Sequence, residues 1–503
     1  MDKRQGLYLY MGCHNQDRRL LLRTLTQGII NDMHISVKLH IVLILSLMIF
    51  SVKTGRAQVT QSDYFMETSY LRNSLNPALQ PEQGYLVVPV MPNIGANLQT
   101  NRIMLDNFTF KGPDGRRVTF MHQSVGVDQF LSKLTRNNYM NVDANVKLFG
   151  YGFFKGDHYW NIDLGVRAHA DINIPKPFFE LLKRGFTQNE QSRYDLSDLK
   201  STGYSFIELG VSHSRPFLNK MLILGAKAKL LGGLADYRLN AESLSIDAGP
   251  DFWRAKSKAT LIGSAPGVEP RYDEKGNLDG FRFGHFNIPG FGLAVDLGAE
   301  YDVKNIFPAL EGLKISGSIN DIGFITWSKN NSISLQSPET EVTVSPSDYS
   351  IYERDGSSVF DVFEDALDDI KQAINLKGDK RRARTSMLRM SIKMGVEYEI
   401  IKDKLSAGIL YTKHFRNYSD ISEFTLSTNY RPCQWFAGSL TYSVNHSRFD
   451  TFGLAMHFVP SRGVNVFIAS DYAVPHISSD FLPTTSRALN IQLGISIPIG
   501  QRR

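Results

Sequence analysis

The chain is nearly devoid of cysteine: Cys13 and Cys433 are the only two in 503 residues. Cys13 lies ahead of the leader described below, so no intramolecular disulfide and no cysteine-based metal centre is expected of the mature protein. No cysteine follows the leader's apolar run either, which argues against a lipid-anchored terminus. Beyond the leader there is no apolar stretch long enough for a transmembrane helix, so any membrane crossing must be made by strands closed into a barrel. Signatures of catalysis are also missing. There is no H-E-x-x-H, no G-x-S-x-G and no P-loop, and Gly290-Phe291-Gly292 lacks the third glycine of a dinucleotide motif and opens a strand instead of closing one. A non-enzymatic protein without a cofactor or metal is expected.

A strong charge of one sign is lacking too, once the precursor is set aside. Lys38 precedes the apolar run Leu39–Phe50 and the small-residue end Gly55, Arg56, Ala57, the pattern of a secretory signal peptide over 33–57 cleaved after Ala57. Residues 1–32 read as an extension ahead of the true start at Met33; a long n-region containing Arg18, Arg19 and Arg23 is the alternative. Residues 1–57 carry eight of the 56 basic and three of the 50 acidic residues, which leaves a mature chain of about +1. The basic balance is a precursor property and gives no reason to expect nucleic acid as a partner.

What the chain has in abundance is alternation. From Leu388 to Ile400 every second residue is apolar, with Arg389, Ser391, Lys393, Glu397 and Glu399 between them. Trp160–Ile174 and Leu489–Ile499 repeat the pattern. Period two marks β-strands, and runs this long exceed the roughly five or six residues of a soluble strand and match the roughly nine to eleven of a membrane-crossing one.

Sorting connections by length predicts fourteen strands, near 84–102, 141–154, 158–174, 203–214, 220–237, 289–303, 311–328, 385–401, 405–415, 420–431, 434–447, 449–459, 463–474 and 485–499. The connections 155–157, 215–219, 304–310, 402–404, 432–433 and 460–462 are short and fall on one side. Those at 103–140, 175–202, 238–288 and 329–384 are long and fall on the other, as in outer-membrane barrels. The fold class is therefore all-β, a transmembrane antiparallel barrel over 84–500 in the outer membrane, surrounded by lipid and lipopolysaccharide.

Aromatic residues flank the short turns: Phe153, Phe154, Tyr159, Trp160, Tyr301, Phe307, Tyr430, Trp435 and Phe436. They are read as an interfacial girdle. Helices are predicted in the long loops over Val359–Asn375 and Val127–Arg136, as a cap over the outer mouth. The acids of the first suit a solvated helix face better than a calcium loop. Lys380, Arg381, Arg382 and Arg384 would lie near lipid phosphates or simply solubilise their loop.

Residues 58–83 precede the wall, and Asn76-Pro77-Ala78 reads either as the turn of a buried plug segment or as an ordinary surface loop. The polar faces of the strands place Asp143, Lys147, Asp163, Arg167, His169, Asp171, Lys227, Lys229, Asp296, Glu300, Arg389, Lys393, Glu397 and Glu399 inward. Both signs occur in near balance, which favours paired networks over an ion filter. For His169 a lumen hydrogen bond is the expectation.

In Asn76-Pro77-Ala78, Pro289-Gly290-Phe291-Gly292 leading to Asp296-Leu297-Gly298, Asn320-Asp321-Ile322-Gly323-Phe324-Ile325-Thr326-Trp327 and Leu493–Gly500, the chain resembles the long-chain fatty-acid transporter (FadL-like) superfamily, nearest to barrel proteins of Bacteroidota. The resemblance covers nearly the whole mature chain. It implies an N-terminal plug and passage of a small hydrophobic ligand, or a secretion-system or surface-protein partner.

Overall fold

The computed structural model describes residues 60–502 except 185–191, 249–252, 273–277, 306–307, 337–339, 345–376, 379–381, 419, 446–448, 461–462 and 474–487. Fourteen strands among the described residues form a closed antiparallel wall. They are β1 (Gly84–Val87 and Asn93–Thr100), β2 (Asn137–Lys155), β3 (His158–Pro175), β4 (Lys200–Phe217), β5 (Leu222–Ala248), β6 (Gly290–Asp302) and β7 (Leu313–Trp327). The second half comprises β8 (Arg384–Met387 and Ser391–Ile401), β9 (Leu405–His414), β10 (Ile421–Cys433), β11 (Phe436–Asn445), β12 (Phe449–Phe458), β13 (Asn465–Ala473) and β14 (Ala488–Ile499). Each pairs with its sequence neighbour, and β14 closes on β1 through Ile499↔Gly84 and Leu493↔Ile94. Among the described residues this joins the first and last strands of the wall edge to edge, the condition for a sheet to sit in hydrocarbon.

The alternation is realised as predicted along most of the wall. In β6 the residues from Gly290 to Leu297 alternate buried and exposed, with Phe291, Leu293, Val295 and Leu297 outward. Ile162, Leu209, Leu230, Val396 and Leu426 join them in an exposed apolar band of a size that water-facing monomers rarely carry. The short turns use left-handed backbone where they must reverse tightly, at Gly156 (φ 58°) between β2 and β3 and at Asp403 (φ 57°) between β8 and β9.

Among the bulges and breaks that interrupt the wall, three bear on the site. β1 is interrupted at 88–92, where Pro89 and Pro92 cannot donate to a ladder, and the apolar turn there exposes Val90. β7 carries one extra residue in a bulge, with Asn320 and Asp321 together opposite Asp296 of β6 and Asp321 at φ 63°. Across from them β8 is broken at 388–390. Met387 is 72% exposed and Ser391 5%, although residues four apart share a face in an unbroken strand. The break therefore moves the strand over by one face. Leu388 consequently packs inward with Phe206, Leu231, Ala294, Ile325 and Trp327, where unbroken alternation had turned it outward.

Tyr159, read as part of the girdle, is also inward and fully buried; Trp435 and Tyr430 are outward and exposed, and Phe307 lies outside the described residues. The expected loop 238–288 is partly sheet. β5 continues to Ala248 and pairs with a strand Trp253–Ser264, which in turn pairs with Ser332–Gln336 and Thr340–Val344. Helix is present over Val127–Leu131, shorter than expected, and over Lys176–Arg184, where none was predicted. Phe130, Leu131 and Phe179 pack from these two helices into one apolar cluster on the long-loop side. The proposed helix Val359–Asn375 lies outside the described residues, as do Lys380 and Arg381. Arg384 makes two 2.5 Å bonds to Asp236, so its charge is committed within the protein.

Candidate functional site: the filled lumen and an outer groove

Residues from Thr60 to Leu79 are mostly buried, and their partners come from opposite walls. Ser62 donates to Asp471 of β13, Asp63 pairs with His457 of β12 at 3.0 Å, and Ser212 of β4 donates to Asn73. Asn76 is the most connected of them. Its Nδ2 donates to Tyr64 Oη, Ala299 O and Gly317 O at 3.1–3.3 Å, and its Oδ1 accepts from Ala78 N at 2.9 Å. The wall makes room for this turn with glycine: a Cβ at Gly298 would collide with Asn76, and one at Gly225 with Pro77. Toward the short turns, Glu67 pairs with Lys314 at 2.9 Å, and Glu82 with Arg431.

Most of the inward charges predicted from sequence meet in two connected layers. On the long-loop side Asp143 accepts from His169 (2.7 Å), Arg389 (2.9 Å) and Arg416 (2.9 Å), while Arg389 also reaches Asp171 at 2.7 Å. The second layer joins Lys227 to Asp163 and Glu208, both at 2.8 Å, and Lys229 to Asp296 and Asp321, both at 2.7 Å. Arg167 grips Asp321 with two 2.8 Å bonds. Arg167 also reaches Glu208 at 3.1 Å. Buried charges persist only where hydrogen-bonded partners of opposite sign surround them, and here each carboxylate has at least two donors.

Three predicted members stay apart. Glu397 accepts from Ser406 at 2.7 Å and Glu399 from Asp403 N at 2.6 Å, both near the short turns; Glu300, half-buried, pairs in register with Ser316. Glu208, Asp321 and Arg416 were missed. Asp321 sits in a bulge and Arg416 in a connection, so neither shows in a period-two pattern, whereas Glu208 lies on the polar face of β4 and was legible there. Lys147 and Lys393 do face the lumen, but neither makes an ion pair among the described residues.

A second concavity lies on the outside of β4–β7. It is an apolar groove of about 980 Å³ lined by Leu209, Leu230, Phe291, Leu293, Phe324 and Trp327 among others. Trp327 belongs equally to the buried inner cluster. Its ring lies where Cβ atoms at Gly233 and Gly290 would be, so the wall is thin here, beside the defects in β7 and β8.

Solved structures similar to the chain include barrels of the FadL and TodX type. A FadL homologue of Pseudomonas aeruginosa shares 8% identity, with 88% of this chain and 97% of that one covered and a TM-score of 0.38. The toluene transporter TodX of P. putida shares 9%, with 89% and 97% covered and a TM-score of 0.35. The CymD monoaromatic hydrocarbon channel shares 9%, with 89% and 99% covered and a TM-score of 0.38. No curated protein matches the chain in sequence. A family model does match, over residues 77–471, and by that span the chain belongs to the family of unknown function DUF5723.

Proposed function

We propose that the protein is an outer-membrane barrel that takes up small hydrophobic compounds from the surrounding lipid, with residues 58–83 as its plug and no catalysis. The observation that carries this reading is the apolar groove lined in part by Trp327. It opens where lipid would contact the wall, and it shares Leu231 and Trp327 with a buried apolar cluster beside a pair of strand defects. Apolar concavities with few polar groups are the usual form of small-molecule sites. A polar, ion-paired lumen supports a plug and excludes a greasy axial tunnel.

The test is saturable binding of N-phenyl-1-naphthylamine to the barrel in lipid nanodiscs, followed by fluorescence. Phe291→Gln with Leu230→Gln is expected to weaken it at least tenfold; non-saturable partition, identical in both proteins, would sink the proposal. The second reading, a surface scaffold for a protein partner, is favoured by the sheet that β5 and Trp253–Ser264 extend past the wall. Shortening that sheet would leave dye binding intact under the first reading.

A further inference from the structure

The lumen cavity between the arginine layer and the N-terminal segment has about 130 Å³ of internal space for water-sized molecules, room for several waters or one small oxyanion. Lys147 and Lys393 both line it, together with Ser74, Asn320 and Ser391. The Lys393 side chain is almost fully buried, yet its ammonium has a single described hydrogen bond, to Ser391 Oγ at 3.1 Å. The Lys147 ammonium reaches Ser74 Oγ at 3.3 Å and lies over the rings of Tyr70 and Tyr85 at 5.6 and 5.8 Å.

Among the described residues around the cavity, no carboxylate is left without another cation to serve them. Asp143, Asp163, Asp171, Glu208, Asp296 and Asp321 are each held by Arg389, Arg416, Arg167, Lys227 or Lys229. Among the described residues that line the cavity or pair with its lining, seven cations thus face six carboxylates, one negative charge short. An ammonium withdrawn from water without a counter-ion is costly, and an anion seated between two of them removes that cost.

We infer that this cavity binds one small oxyanion, a carboxylate or phosphate group held between Lys147 and Lys393. The two ammonium groups, with Ser74, Asn320 and Ser391 beside them, set the ligand apart from the hydrophobic compound assigned to the outer groove. Ser74 belongs to the N-terminal segment and Ser391 to β8 at its break, so the anion would also tie that segment to the wall.

The experiment is isothermal titration calorimetry on the mature barrel in a non-ionic detergent, with inorganic phosphate and with acetate, against chloride at matched ionic strength. One saturable site per barrel is expected for phosphate or acetate and none for chloride, with the preferred anion naming the group. Lys147→Met with Lys393→Met should weaken binding at least tenfold, while Leu230→Gln in the outer groove leaves it unchanged. Absence of saturable heat with either oxyanion overturns the inference, as does equal affinity in the lysine variant. Should the double variant not fold, as judged by heat-dependent gel migration, Lys393→Gln alone must show the same loss, and wild-type stoichiometry other than one per barrel is equally fatal.

Discussion

Asp321 shows how much one residue can carry. Its left-handed backbone supplies the turn in the β7 bulge, and its carboxylate is the shared counter-ion of Arg167 and Lys229. Asp321→Ala would leave two buried cations short of a partner, for which a loss of about 3–5 kcal/mol is expected. Asp321→Asn tolerates the backbone but not the charges, so in urea unfolding it should recover only part of that loss. At the short-turn mouth, crowding alone would raise the Glu67 carboxyl, but Lys314 and Arg72 outweigh it and hold the group at about 2, below its ordinary 4.5. A depressed carboxyl stabilises the fold above its unfolded value and loses that contribution as pH falls through its folded one. Wild type should therefore exceed Glu67→Gln in melting temperature at pH 6, modestly for so accessible a pair, and the gap should close between pH 4.5 and pH 2. A gap independent of pH would refute the pairing.

At the scale of elements, the alternation gave all fourteen strands because each has the same two faces, an apolar band outside and a polar lumen inside. The strand defects stayed hidden for a physical reason. Leu388 and Arg389 continue the apolar-polar rhythm in sequence, and nothing local betrays that the β7–β8 pairing is interrupted beside Asp321 and resumes in the same register with the other face turned inward. The two readings of Leu388 make opposite predictions. Packed against Trp327 and Phe206, Leu388→Ala opens a cavity and should cost about 2–5 kcal/mol; facing lipid, it would cost far less. Met394, which is outward in either reading, is the control: Met394→Arg should cost about 2–4 kcal/mol near the bilayer midplane. Both are read from unfolding midpoints in liposomes.

For the molecule as a whole, closure and filling are separate achievements. The ring is closed by β1 against β14, and period-two patterning foretold it. The filling was only half legible. Asn76-Pro77 signalled a turn, but whether that turn lay on the surface or within the ring depended on partners more than 200 residues away, Ala299 and Gly317. Glycines at 225 and 298 are the sequence trace of that long-range contact, and no local rule reads them so. If residues 60–83 seal the barrel through this turn, Asn76→Ala should raise the conductance of barrels in planar bilayers at least severalfold, because the amide ties the turn to β6 and β7 at once. Gly298→Val should act in the same direction by taking the space that Asn76 occupies. The arginine layer of Arg389 and Arg416 remains in both variants, so the added conductance should stay well below that of a barrel lacking residues 60–83 entirely. Equal conductance in wild type, Asn76→Ala and the deletion would mean that the ion-paired layer alone closes the lumen, and the N-terminal segment would then be a brace and not a seal.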